Sequence, residues 1–108
     1  MPEGRLPTHL EVSGLIRMVE AAGGFAMVLK KGERDAGSLA IVTSHRGTPA
    51  RLWERMPQMD GVRKFIVSRV QDTENTTDFS NYLDRRKGQD QDLWIVEIDV
   101  ADPERFIA

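Results

Sequence analysis

No cysteine occurs among the 108 residues, which excludes disulfides, thiolate nucleophiles and cysteine-ligated zinc together. Long apolar runs are missing as well: "FAMVL" and "LAIV" fall far short of the ~20 residues a membrane-spanning helix needs. Neither sign of charge dominates. Fifteen basic residues face 17 acidic ones, a net charge of −2, so attraction to nucleic acid or anionic lipid is not built into the whole chain and would need a local patch. The N-terminal "MPEGRLPTHL" has no basic segment leading into an apolar stretch and no small-residue cleavage site. A secretory signal is therefore not expected, the cytoplasm is the expected location, and the sequon "NTT" at Asn75–Thr77 has no meaning there.

What is present has the proportions of an ordinary globular protein, 40% hydrophobic and 30% charged, in a length that suits one domain over residues 1–108. Thr8 and Glu11 stand in capping-box spacing, which predicts a helix from about His9. Val12, Leu15, Ile16, Val19 and Ala22 then form one apolar stripe, and Gly23-Gly24 end it. From Phe25 the period changes. "FAMVLKK", "SLAIVTS", "RLWERM" and "RKFIVSRV" read as four short strands separated by Gly, Pro and Asp-Gly turns. In the third, Leu52, Glu54 and Met56 share one face and Arg51, Trp53 and Arg55 the other. After the polar "QDTENTTD", the spacing of Phe79, Tyr82, Leu83 and Arg86 predicts a second helix with Arg85, Arg86 and Lys87 near its C-terminus and Gly88 as its stop. "LWIVEIDV" is a strand apolar on both faces in its first half, as a central strand would be. Asp102 and Pro103 then open a short turn that pins Phe106 and Ile107 to the core.

The expected fold is α+β: a single domain with a mainly antiparallel sheet of about five strands, an N-terminal helix, and a second helix before the last strand. Four strands are expected to pair in sequence order, the fifth to insert in or beside them, and both helices to cover one sheet face.

Gly32 and Gly37 in "KKGERDAGSL" have the spacing of a phosphate-binding loop. Ser38 stands where such a loop needs lysine, a strand follows where it needs a helix, and Glu33 and Asp35 would repel phosphate. A hairpin turn with glycines at positive φ is the better reading. His9 and His45 lack a partner at metal-ligand helical spacing, so no metal is assigned. Triads can be drawn from Ser13, Ser38, Ser44 or Ser68, but no G-x-S-x-G elbow occurs. Glu97 and Asp99 on the last strand read as structural carboxylates facing solvent or arginine, with Glu54 a similar case.

The stretches "RLPTHLEVSGLIRMVEAAGGFAMVLKKGERDAGSL", "ARLWERMP" and "DLWIVEID" together resemble the DUF1491 family of short bacterial proteins. The resemblance rests on Leu10-Glu11-Val12-Ser13, Ala22-Gly23-Gly24-Phe25, Lys31-Gly32 with Asp35-Ala36-Gly37, Glu54-Arg55-Met56-Pro57 and Asp92-Leu93-Trp94. It implies one compact domain in a bacterial cytoplasm, and carries over no activity, cofactor or catalytic residue.

The expected function is that of a non-catalytic interaction or accessory protein. Its candidate binding residues are Arg51, Trp53 and Arg55, with Lys31 and Asp35 at the turn, because arginine beside an exposed indole can stack on bases or grip a partner's acidic side chains. A protein partner or a homodimer formed at a sheet edge is expected; nucleic acid, membrane and cofactor are not. The alternative is a small-molecule-binding protein or enzyme with a pocket between sheet and helices, using Lys31, Asp35, Arg55 and Glu97.

Overall fold

The elements run α1 (Thr8–Ala21), β1 (Phe25–Lys30), β2 (Leu39–His45), β3 (Thr48–Pro57), β4 (Arg63–Val70), α2 (Thr76–Gln89), β5 (Trp94–Asp99) and a 3-10 turn, η1 (Pro103–Phe106). This computed structural model describes residues 6–57, 59–61 and 63–107. Residues 1–5 of "MPEGRLPTHL" and Gln58 of the "PQMDG" turn lie outside the described residues, as do Val62 and Ala108.

The strands form one mixed sheet in the order β1-β5-β2-β3-β4. β5 pairs antiparallel with β1 and parallel with β2, while β2-β3-β4 is an antiparallel meander. The expectation that β1 and β2 are hairpin neighbours is therefore corrected. β5 separates them, because a strand apolar on both faces is most stable with a neighbour at each edge and a layer over each face. The β2–β3 hairpin is tight, with Gly47 at φ +73. Pro49 does not delay β3: it falls where the register shifts between the Thr43–Arg51 and His45–Thr48 pairs, so its missing N–H spares the ladder.

The helices lie on opposite faces, not on one. Val12, Leu15 and Val19 of α1 pack on Leu39, Ile41, Trp94, Val96 and Ile98. Phe79, Tyr82 and Leu83 of α2 pack on the other side with Ala40, Val42, Leu52 and Ile95. The cause is visible in β2 and β5, whose consecutive residues Leu39–Val42 and Trp94–Val96 are all buried. Alternation sends neighbouring side chains to opposite faces, so one helical layer leaves half of them in water. Ala22, expected in the α1 stripe, is exposed just past the helix end, where Gly23 at φ +85 turns the chain.

Several local expectations change at the element ends, the first because polar groups found better partners than their sequence neighbours. Thr8 is no capping-box residue. Its hydroxyl donates to the Gly37 carbonyl at 2.7 Å, and Glu11 pairs with Arg55 on β3. Arg86 stands with Lys87 in the last turn of α2 as expected, and its guanidinium also reaches Glu54, at 2.8 Å; the helix runs past Gly88 to Gln89. Asp102 makes no side-chain cap and sits in the left-handed region at φ 50, although Ile107 beyond it is buried and Phe106 packs on the α1-side core.

The loop between β1 and β2 closes one end of the molecule. Its carbonyls receive the first free N–H groups of α1, Thr8 to Asp35 at 3.1 Å and His9 to Arg34 at 2.9 Å, which α1 cannot satisfy within itself. Glu33 N–H donates to Asp92 O at 3.0 Å, Trp94 N–H to Ser38 O at 2.8 Å, and the Trp94 indole N–H to Glu33 O at 2.7 Å. Gly32 and Gly37 are needed for closeness and not for positive φ: a Cβ on either would meet Asp92 O at 2.2 Å. Gly37→Ala should therefore destabilise the protein by about 1–3 kcal/mol, the range for forcing atoms into a packed site. Urea denaturation reads this directly, and an unchanged midpoint would show that the loop carries no such constraint.

Candidate functional site

β3 presents Arg51, Trp53 and Arg55 to the α1 side of the sheet, as the alternation requires, and each is engaged within the chain. The Trp53 indole N–H donates to Thr43 Oγ1 at 3.0 Å. The Arg51 guanidinium lies 5.1 Å from the centre of the Trp53 ring and 3.3 Å from Glu104. Arg55 stands 4.5 Å over the Phe65 ring and pairs with Glu11. These contacts tie β3 to η1 and α1. On the opposite face Leu52 is buried and Glu54, its side chain 13% exposed, holds Arg86. Lys31 and Asp35 are exposed in the β1–β2 loop; the Asp35 carboxylate lies 3.9 Å from Arg34. Among the described residues no hydrogen bond or ion pair joins Lys31 or Asp35 to Arg51 or Arg55.

A cavity of about 290 Å³ opens at the C-terminal ends of the parallel pair β2 and β5, lined by Thr43, Ser44, His45, Arg51, Asp102 and Glu104 among others. Two of its lining residues, Ser44 and His45, each hold a carboxylate of β5. Ser44 donates to Glu97 at 3.0 Å, and the His45 ring Nδ1–H donates to Asp99 at 2.8 Å. The serine proton thus goes to a carboxylate and not to the imidazole, so these four groups form two separate bonds and no relay. Glu97 and Arg55 point to opposite sides of the sheet, so the set Lys31, Asp35, Arg55 and Glu97 does not converge on one pocket. Among the described residues no cluster of three or more His, Asp or Glu is placed to hold a metal ion, and no helix is long and apolar enough to cross a membrane.

A different surface emerges on the α1 side. The helix lies against β1 and β5, and between its other flank and β4 runs an open groove of about 210 Å³. Leu6, Leu10, Gly14, Met18, Phe65 and Phe106 are among its lining residues. Leu10 and Met18 are 48% and 52% exposed. Between them Gly14 occupies the middle of α1, and a Cβ there would meet nothing within 4 Å. Glycine in a helix interior costs about 1 kcal/mol relative to alanine, and no packing within the described chain offsets it. Gly32 and Gly37 are bare because the chain itself crowds them; Gly14 is bare beneath open space. The signal was present in the sequence, since Leu10 and Met18 fall outside the Val12–Leu15–Val19 stripe and Gly14 interrupts a good helix.

The family model for a protein of unknown function, DUF1491, matches residues 6–108. The chain belongs to the DUF1491 family. Its fold is shared by the crystal structure of a DUF1491 family protein from Caulobacter crescentus CB15, at 29% identity and TM-score 0.75, with 96% of each chain covered. It is shared equally by the NMR structure of a DUF1491 family protein from the same organism, at 33% identity and TM-score 0.77, covering 95% of this chain and 93% of that one. The solution structure of protein Atu0922 from A. tumefaciens matches at 33% identity and TM-score 0.75 over 95% and 92% of the two chains. Among curated proteins nothing matches.

Two exposed carboxylates report on the loops that frame these surfaces. Backbone N–H groups of Asp35 and Ala36 hold the Glu33 carboxyl below its usual 4.5; the backbone N–H of Glu104 itself, then Arg51, does the same for Glu104. A carboxyl depressed in the folded state contributes stability above its unfolded pKa and loses it as pH falls through the folded value. Stability should therefore decline below about pH 4.5, and the decline should be shallower in Glu33→Gln. Urea midpoints measured from pH 6 to pH 3 check this, and parallel curves for the two proteins would contradict it.

Proposed function

We propose that this protein is a non-catalytic interaction or accessory protein of the bacterial cytoplasm, and that its working surface is the groove between α1 and the β3–β4 hairpin. One observation carries the reading: an open apolar groove flanked by two half-exposed hydrophobic residues of α1. A water-facing apolar surface of this kind is maintained at a cost in solubility and is the usual mark of an interface. Of the arginine-tryptophan face, Arg55 contributes a polar border to that groove, since it lies over Phe65 at its wall. The lack of a serine–histidine link beside the 290 Å³ cavity supports the non-catalytic part of the reading.

The test replaces Leu10 and Met18 together with glutamate. Both are on the water-facing side of α1, so the fold should survive, as circular dichroism and NMR dispersion would show. Affinity purification of tagged wild type and variant from the source bacterium should then differ by the loss of a defined partner from the variant. Identical sets of bound proteins would remove the groove as the working surface.

The free edge of β1 favours a second reading, association of two copies. β4, the other edge, is guarded by Arg63, Lys64 and Arg69, whereas β1 has no charge from Phe25 through Leu29 and exposes Phe25 at 58% and Met27 at 45%. Uncharged edges invite antiparallel pairing with an identical strand. Met27→Lys should then convert a dimer into a monomer in sedimentation velocity. A wild type that stays monomeric at high concentration would dismiss this pairing and leave the groove untouched.

A further inference from the structure

The groove reading identifies a surface but not what fits it, and three features of its border narrow the choice. The first is charge. Within a chain of net charge −2, the groove's one charged lining residue is Glu11, and arginines stand just beyond the lining: Arg55 lies over Phe65 and Arg105 over Phe106, 4.5 and 4.6 Å from the ring centres, and exposed Arg17 stands one helical turn from Gly14. Glu11 answers Arg55. Arg17 and Arg105 have no acidic partner among the described residues.

The second is length. From Leu10 to Met18 the groove follows α1 for about 12 Å at 1.5 Å per residue, which matches two to three apolar anchors on successive turns of a second helix. The third is Gly14 at the midpoint, a bare spot on a helix wall with open space above it. Helix axes approach most closely where the side chains between them are smallest, so such a position suits a helix lying across α1. An added strand has no comparable use for it, and the nearest strand edge, β4, is blocked by its own charges.

Resting on the groove reading, we infer that the partner is an amphipathic helix whose apolar face seats against Leu10, Gly14, Met18 and Phe65 and whose flanking residues are acidic, meeting Arg17 and Arg105. Gly14 is the contact point, kept bare for the partner's backbone.

The probes are two peptides of about 18 residues, long enough to be helical. Both carry leucines at i, i+3 and i+7; one is flanked by glutamates, the other by lysines at the same positions. Titrated into 15N-labelled full-length protein at low salt, the glutamate peptide should shift the amides of Leu10, Gly14 and Phe65, and the lysine peptide should bind at least about tenfold more weakly. Gly14→Leu fills the contact point from outside the core, so it should keep a dispersed spectrum yet bind the glutamate peptide about tenfold or more weakly. Gly14→Ala should raise the melting temperature of the free protein by about 4–8 °C, because no chain atom needs the vacancy.

Equal binding of the two peptides, no shift from the glutamate peptide, undiminished binding by Gly14→Leu, or a lowered melting temperature in Gly14→Ala would each overturn the inference. The groove reading falls separately, only if the doubly substituted Leu10→Glu, Met18→Glu protein keeps every partner of the wild type.

Discussion

The interaction on which the architecture depends is the seating of the α1 N-terminus on the loop between β1 and β2. The Thr8 hydroxyl, 1% exposed as a residue, donates to Gly37 O, and the same loop receives the next backbone N–H groups. A helix start needs acceptors, and here they come from a segment nearly thirty residues away in sequence. That loop is in turn held against residues 92–94 by Glu33, Ser38 and the Trp94 indole. One cluster of hydrogen bonds thus joins the first element, the β1–β2 crossing and the start of the last strand.

Much of this was legible in the sequence because it depended on local patterns. The strand stretches, the α2 face of Phe79, Tyr82 and Leu83, and the central character of "LWIVEIDV" follow from periodicity alone. What was not legible is what a polar group does when a distant partner competes with a near one. Thr8 and Glu11 look like a capping box, but each has a partner brought by tertiary structure that is closer to buried. Strand order had the same difficulty: hairpin pairing of β1 with β2 is the short-range solution, and only burial on both faces of β5 favours insertion. That information was in "LAIV" and "LWIV", where consecutive apolar residues already demand two covering layers and so rule out both helices on one face.

The candidate site shows the converse. Residues that look chemical in a sequence, such as arginine beside tryptophan, paired carboxylates, or serine next to histidine, are the ones a small domain uses to tie its own parts together. Arg51, Arg55 and Arg86 each bridge separate elements, and a half-buried ion pair of this kind fixes geometry more than it adds stability. Their stacking on Trp53 and Phe65 keeps the aromatic rings partly covered and leaves the guanidinium edges at the rim. They are therefore neither free ligand-binding groups nor irrelevant to binding: a charge already held in place loses little further freedom when a partner's carboxylate arrives.

The residues that define the open surface are, by contrast, bland. Leucine, methionine and glycine on a helix carry no chemical signature, and scattered exposed hydrophobic residues need no explanation. What distinguishes Leu10, Gly14 and Met18 is their alignment along one flank of α1 facing two aromatic rings, together with a glycine whose conformational cost the chain does not offset. Glycines forced by the fold reveal themselves by collision, as Gly32 and Gly37 do against Asp92 O. Gly14 collides with nothing, sits at no positive φ and lies mid-helix, so neither crowding nor backbone conformation within the described chain accounts for it, and that is the observation on which the proposed docking of a partner helix rests.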